Sequence, residues 1–173
     1  MIQESQPKAG GATLKSTMVF TIVQIVLSAL GTIDAGLLYL QDTKRVDLPC
    51  TSDGGCEKVA NSIYSQVHIF GHTIPIAMIG AIGYILLLSL SMAKAASETT
   101  SGVRLLSTAI LLVSGGAFVY SWYLQYVSFT IILAHCMYCI ISACIMTAIF
   151  VTSILERRAL NKNAIVSGSG GEA

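Results

Sequence analysis

The stretch His135–Leu155, HCMYCIISACIMTAIFVTSIL, carries no charged residue over the span of a membrane crossing, and two of its thiols are spaced Cys-x-x-Cys at its start. A bilayer core takes about 20 apolar residues as helix. Three more apolar runs precede this one: about Met18 to Leu40, Thr73 to Met92 and Leu105 to Val127, while the last opens near Phe129 and closes near Leu155. Backbone in hydrocarbon must satisfy its own hydrogen bonds, so all four are read as helices. Composition agrees. Of the 173 residues 54% are hydrophobic and 11% charged, against about 25% charged in soluble domains. A soluble globule could not clothe itself with so few charges, and a disordered chain would not hold so much apolar side chain. The net charge of +1 leaves no basic surface for nucleic acid. The expected fold is an all-α membrane protein, a bundle of four transmembrane helices.

Flanking charges orient the bundle. Lys8, Lys15, Lys94, Arg104, Arg157, Arg158 and Lys162 fall on one side, and Lys44, Arg45 and Lys58, diluted by Asp42, Asp47, Asp53 and Glu57, on the other. The basic side is expected to be cytoplasmic, with both termini there. The chain then divides into an N-terminal cytoplasmic segment (1–15), a membrane domain (16–157) with a long outer loop (41–72), and a cytoplasmic tail (158–173) expected to be disordered. The first run exceeds the about 7–15 residues of a signal peptide's apolar core and is read as a retained helix. Only Tyr126–Phe129 separates the last two runs. Tyr39, Trp122, Tyr123 and Tyr126 gather at outer helix ends, where amphipathic rings prefer to lie. Gly115-Gly116 permits close helix approach.

Four of the five cysteines fall on the outer side, in a compartment that permits disulfides. Cys136 and Cys139 share a helix face near a helix start, where the positive dipole end favours thiolate. His135 could add a positive charge or be a plain interfacial residue. Cys50 and Cys56 flank the turn signal Asp53-Gly54-Gly55, which folds the loop back and brings the two thiols together. A loop pair above a membrane-edge pair is a relay geometry. Cys50 and Cys56 could instead form a structural staple, or join His68 and His72 in a metal site, although these spacings are not those of structural zinc; no metal is expected. Cys144 lies off the face of the pair and is read as a small hydrophobe.

A thiol pair at the membrane edge needs an electron acceptor. No dinucleotide fingerprint is present and no paired histidines for a membrane haem; a lipid-soluble quinone could reach Cys139 between helices. Asp34, an acidic residue inside the first run, is a candidate proton carrier, since such residues are costly in a membrane and often functional.

The constellation resembles the vitamin K epoxide reductase family in its bacterial, disulfide-forming branch. The matching residues are Cys50-x5-Cys56, the following Glu57-Lys-Val-Ala-Asn-Ser62, Phe70-Gly-His-Thr-Ile-Pro75-Ile-Ala77 leading to Gly80 and Tyr84, and Cys136-Met-Tyr-Cys139. The resemblance spans about Val19–Arg157. It implies a four-helix bundle around a quinone pocket open to the outer face of a membrane, expected to be the bacterial plasma (inner) membrane. It implies a thiol:quinone oxidoreductase that generates protein disulfides: a thioredoxin-like partner delivers electrons to Cys50, Cys56 attacks Cys136, and Cys139, the sulfur nearest the quinone, is released to reduce it. Ser62, Ile76, Gly80, Tyr84, Cys139 and Ala143 are then the expected quinone-pocket residues, with His135 and Asp34 in proton or electrostatic roles. Ubiquinone, menaquinone and phylloquinone are the quinones that the resemblance implies. Animal members carry an asparagine and a tyrosine near the quinone oxygens where this chain has Ile76 and Ala143, which favours ordinary quinone reduction over the alternative, vitamin K quinone or epoxide reduction. Many bacterial members have a fifth helix and a fused thioredoxin-like domain; here the partner is expected to be a separate protein. The remaining alternative is a non-enzymatic four-helix scaffold with a structural Cys50–Cys56 disulfide.

Overall fold

A computed structural model describes residues 10–43, 58–59, 62, 65–69, 72–97, 99–134 and 136–168. Among these residues four helices are long and apolar enough to cross a membrane: α1 (Gly10–Asp42), α2 (Ile76–Ala96), α3 (Thr100–Val127) and α4 (Met137–Gly168). The protein is an all-α membrane bundle whose only described sheet is a small hairpin, β1 (Gln66–Ile69) and β2 (His72–Pro75), paired antiparallel with Gln66 opposite Pro75 and Ile69 opposite His72. Pro75 holds extended backbone at φ −61° and ψ 136°. Its ring fixes φ and removes a donor, so the strand stops and α2 begins at the next residue.

The bundle turns its apolar residues outward as well as inward. Ile22, Leu30, Ile33, Leu112, Val119 and Val151 are exposed, while Ala35, Tyr84, Leu87, Ile110, Met146 and Ile149 form the core. In a lipid solvent there is no hydrophobic drive to bury the first set, so packing rests on shape and polar contacts. The helix contacts show both. α1 packs on α2 and α4, and α3 packs on α4 and α2. A Cβ at Gly31 of α1 would run into the Tyr84 ring of α2, and one at Gly115 of α3 would lie 3.2 Å from the Phe150 ring of α4. The close approach expected of Gly115-Gly116 thus belongs to Gly115.

At the end of the bundle away from the cysteines, one polar group from each helix meets the others. Lys94 Nζ of α2 donates to Glu156 Oε2 of α4 at 2.8 Å, with both side chains 1% exposed. It also donates to Gln24 Oε1 of α1, whose Nε2 donates to Glu156 Oε2 and to Ser153 Oγ; Ser107 Oγ of α3 donates to Glu156 Oε1. Lys94, counted above among the flanking basic residues, is therefore enclosed. Charge buried in a membrane is tolerated when it is paired and fully hydrogen-bonded.

Two boundaries differ from the sequence expectation. The fourth helix does not start near Phe129, and Tyr126–Phe129 is not the whole connection. α3 runs into a π-helical turn, Ser128–Ile132, which ends at Leu133 with φ 52°. Ser128 Oγ donates to Ala134 O at 2.6 Å, and the Ala134 N–H to Ser128 O at 3.2 Å. The corner is made by backbone geometry and one serine, while Phe129, Ile131 and Leu133 stay exposed and apolar, so hydropathy runs through it without a break. At the other boundary, α4 continues to Gly168, past Arg157, where the sequence suggested a disordered tail.

Candidate active site

The corner after α3 delivers Cys136 to the first position before α4. Its carbonyl accepts the Ile140 N–H at 3.1 Å, and its Sγ accepts the Cys139 N–H at 3.4 Å. Cys136 thus caps the helix with sulfur in the place usually taken by a serine or aspartate oxygen, satisfying one of the open N–H donors of the first turn. The Cys139 side chain, one turn on, donates a further hydrogen bond to the same sulfur. That bond, opposed by burial and helped by the Cys139 and Tyr138 N–H groups, holds the Cys136 thiol below the ordinary thiol range. Both thiols are free; Cys136 is buried and Cys139 half-buried. The spacing brings the pair together on one helix face, with Cys136 at the helix start.

Both sulfurs open on a cavity of about 410 Å³ between the four helices. α1 contributes Ala35, Leu38 and Gln41; α2 contributes Ile76, Gly80, Gly83 and Tyr84. From α3 come Gly116, Tyr120, Ser121 and Gln125, and from α4 Ser142, Ala143 and Met146. Ser62 and Ser65 of the connecting segment close one side, and Ser62 Oγ donates to Val59 O at 2.8 Å. Ser62, Ile76, Gly80, Tyr84, Cys139 and Ala143, singled out from the sequence, all line this one space. Ile76 and Ala143 present only carbon to it. Reasoning from the sequence missed Gln41, Tyr120, Ser121, Gln125 and Ser128. They are scattered polar residues in apolar helices, and only the packing shows that they face one cavity.

Behind the wall, Asp34 of α1 is 8% exposed and its Oδ2 is buried without a hydrogen-bond partner. Its carboxylate faces the Ser142 side chain. Tyr84 OH donates to Ser142 O at 2.9 Å and lies 3.0 Å from Ser142 Oγ. Cys144 is exposed on the outer surface of α4, away from the pair. Cys50, Cys56 and His135 lie outside the described residues, as do the side chains of His68 and His72.

The sequence model of the Vitamin K epoxide reductase family matches residues 22–154. The chain belongs to the vitamin K epoxide reductase family. No curated protein matches it. The match runs from within α1 to within α4 and takes in all four spans. Membership of the vitamin K epoxide reductase family makes the protein an integral-membrane oxidoreductase of the thiol and quinone type. The cavity that the Cys136–Cys139 pair lines falls within the roughly 300–1,000 Å³ of small-molecule sites.

Proposed function

We propose that this protein is a thiol:quinone oxidoreductase that generates protein disulfides, working on the outer face of a bacterial plasma membrane with a thioredoxin-like partner. One observation carries the reading: the Cys136–Cys139 pair, with Cys136 on a helix N-terminus, faces an apolar cavity between membrane helices. A structural cysteine pair gains nothing from such a cavity. The pair also matches what exchange needs, a thiol at Cys136 lowered enough to leave easily beside a second thiol one turn on.

The electron route follows from thiol–disulfide exchange. Partner dithiol reduces the Cys50–Cys56 disulfide and is itself oxidised. The Cys56 thiolate attacks Cys136 of the Cys136–Cys139 disulfide, and Cys139 leaves with an electron pair. Cys50 then attacks Cys56, which restores the loop disulfide and expels Cys136. The N–H of Cys139 stabilises the departing Cys136 thiolate, which speeds that step because a low-pKa thiol leaves faster. A quinone bound beside the reduced pair supplies an acceptor of two electrons and two protons. Leu38, Ile76, Ala143 and Met146 would hold its ring, and Tyr84, Ser121 and Gln125 offer the polar contacts. The all-carbon side chains at Ile76 and Ala143 suit a plain quinone better than an epoxide.

The test is quinone reduction by the purified full chain, with reduced thioredoxin as electron donor. Cys139→Ala is expected to abolish it. Cys56→Ala is expected to accumulate a mixed disulfide between thioredoxin and Cys50. Thioredoxin oxidation at parental rate in the Cys139→Ala protein would sink the proposed route.

A further inference from the structure

Asp34 is a buried carboxylate that the electron route leaves unused. It stands on α1, nine-tenths hidden, with Oδ2 unpartnered. An acidic side chain in that state is expensive in a membrane interior and marks a functional site by default. Its surroundings say which function. Its carboxylate faces Ser142 of α4, and the Ser142 hydroxyl lies 3.0 Å from the Tyr84 hydroxyl of α2. Ser142 and Tyr84 form part of the cavity wall, whereas Asp34 stands behind it. A carboxylate, a serine hydroxyl and a tyrosine hydroxyl therefore lead from a hidden acid to the space beside Cys139.

The reaction makes demands that this line meets. Closing the Cys136–Cys139 disulfide forms one S–S bond and releases two electrons and two S–H protons. Converting a quinone to its quinol takes up two electrons and two protons. The totals balance with no further reactant, but the protons must be moved across an apolar cavity that cannot carry them. Ser142 stands one helical turn beyond Cys139, on the same face, and so adjoins both the dithiol and Asp34.

We infer that Asp34 is the proton-holding group of the site: it takes the two protons released from the dithiol one after the other and returns each to the cavity through the Ser142 and Tyr84 hydroxyls. The carboxyl is protonated while a proton is in store and ionised after it is passed on, so after two passages it ends each turnover as it began. The hydroxyls gain and lose one proton in each passage. The titratable groups near enough to feel the charge of Asp34 are Tyr84 from α2, Cys136 just before α4 and Cys139 from α4, which are the other members of the same exchange. The inference rests on the quinone reading above.

Two measurements on the purified full chain test it, with dithiothreitol as reductant and a short-tailed benzoquinone as acceptor. The first is a time-resolved infrared difference spectrum of the pre-reduced pair after mixing with the benzoquinone. A protonated-carboxyl band is expected to rise and decay within the turnover, to be absent in Asp34→Asn and to appear, shifted, in Asp34→Glu. The second is single-turnover oxidation of the pre-reduced pair by the benzoquinone across pH. Asp34→Asn is expected to slow it at least about a hundredfold, with Asp34→Glu restoring most of the rate. Tyr84→Phe, which keeps the ring that packs on Gly31, is expected to slow it as well, and serves if Asp34→Asn does not fold. Parental rates in Asp34→Asn at every pH, or a carboxyl band that does not rise in the parent, would overturn the inference and leave the quinone reading standing. Failure of the parent to pass electrons to benzoquinone would overturn both.

Discussion

Cys136 owes its character to where the helix begins. The same sulfur caps the first turn of α4 and accepts the Cys139 side chain. The Cys139 contact is the largest influence on its thiol and lowers it; burial opposes, and the backbone N–H groups add to the lowering. A lowered thiol is ionised at lower pH than a free one, and only the thiolate is alkylated. Alkylation of Cys136 by a small reagent, in a chain with Cys50, Cys56 and Cys144 replaced by serine, is therefore expected to reach its midpoint below the about 8.5 of a free cysteine. Replacing Cys139 with alanine as well is expected to move the midpoint up. A midpoint that stays put would mean that the helix N-terminus alone sets it.

Among the elements, the corner between α3 and α4 matters most, because it decides where Cys136 stands. It turns on Leu133, whose φ of 52° costs a non-glycine residue about 1–2 kcal/mol. Glycine accepts that conformation freely, and proline cannot take it, since its ring holds φ near about −65°. Leu133→Gly is expected to leave stability within about 1 kcal/mol of the parent, because relief at φ offsets the entropy lost. Leu133→Pro is expected to cost about 3 kcal/mol or more and to abolish Cys136–Cys139 disulfide formation. Denaturation in detergent micelles reads the first effect and a gel-mobility shift after thiol labelling the second. None of this was legible beforehand. Five apolar or neutral residues in a π turn look like five more residues of helix, and the expected helix start near Phe129 missed the corner for that reason.

At the scale of the whole molecule, the two ends of the bundle do different work. The cysteine end is open around its cavity, and the opposite end is tied by Lys94, Glu156, Gln24 and Ser107, one from each helix. Removing one partner of a buried pair leaves a charge uncompensated, at a cost of about 3–5 kcal/mol. Glu156→Ala is expected to lower stability by that order. The paired replacement Lys94→Met with Glu156→Leu is expected to recover most of it, because both charges leave together. Melting of the two variants in the same detergent checks this, and equal losses would show that the tie is worth more than its charges. Gln24, Lys94 and Glu156 are each visible as polar residues in or beside apolar runs, but their distance along the chain hides that they are partners.

Hydropathy alone determined the number of spans, because a helix in lipid must be apolar over its whole length whatever packs beside it. The Cys136-x-x-Cys139 spacing alone determined that two thiols would share a face, because helical periodicity is local. The tertiary structure decided everything that depends on which faces meet. It brought Tyr84 over Gly31 and onto Ser142, set Asp34 behind them, and turned Gln125 and Ser121 toward the space beside Cys139. On α1 the inner side is marked by Thr21, Gln24 and Ser28 among exposed Ile22, Val23 and Val26, but a local pattern cannot name the helix on which that side packs, and only the packed bundle decides it.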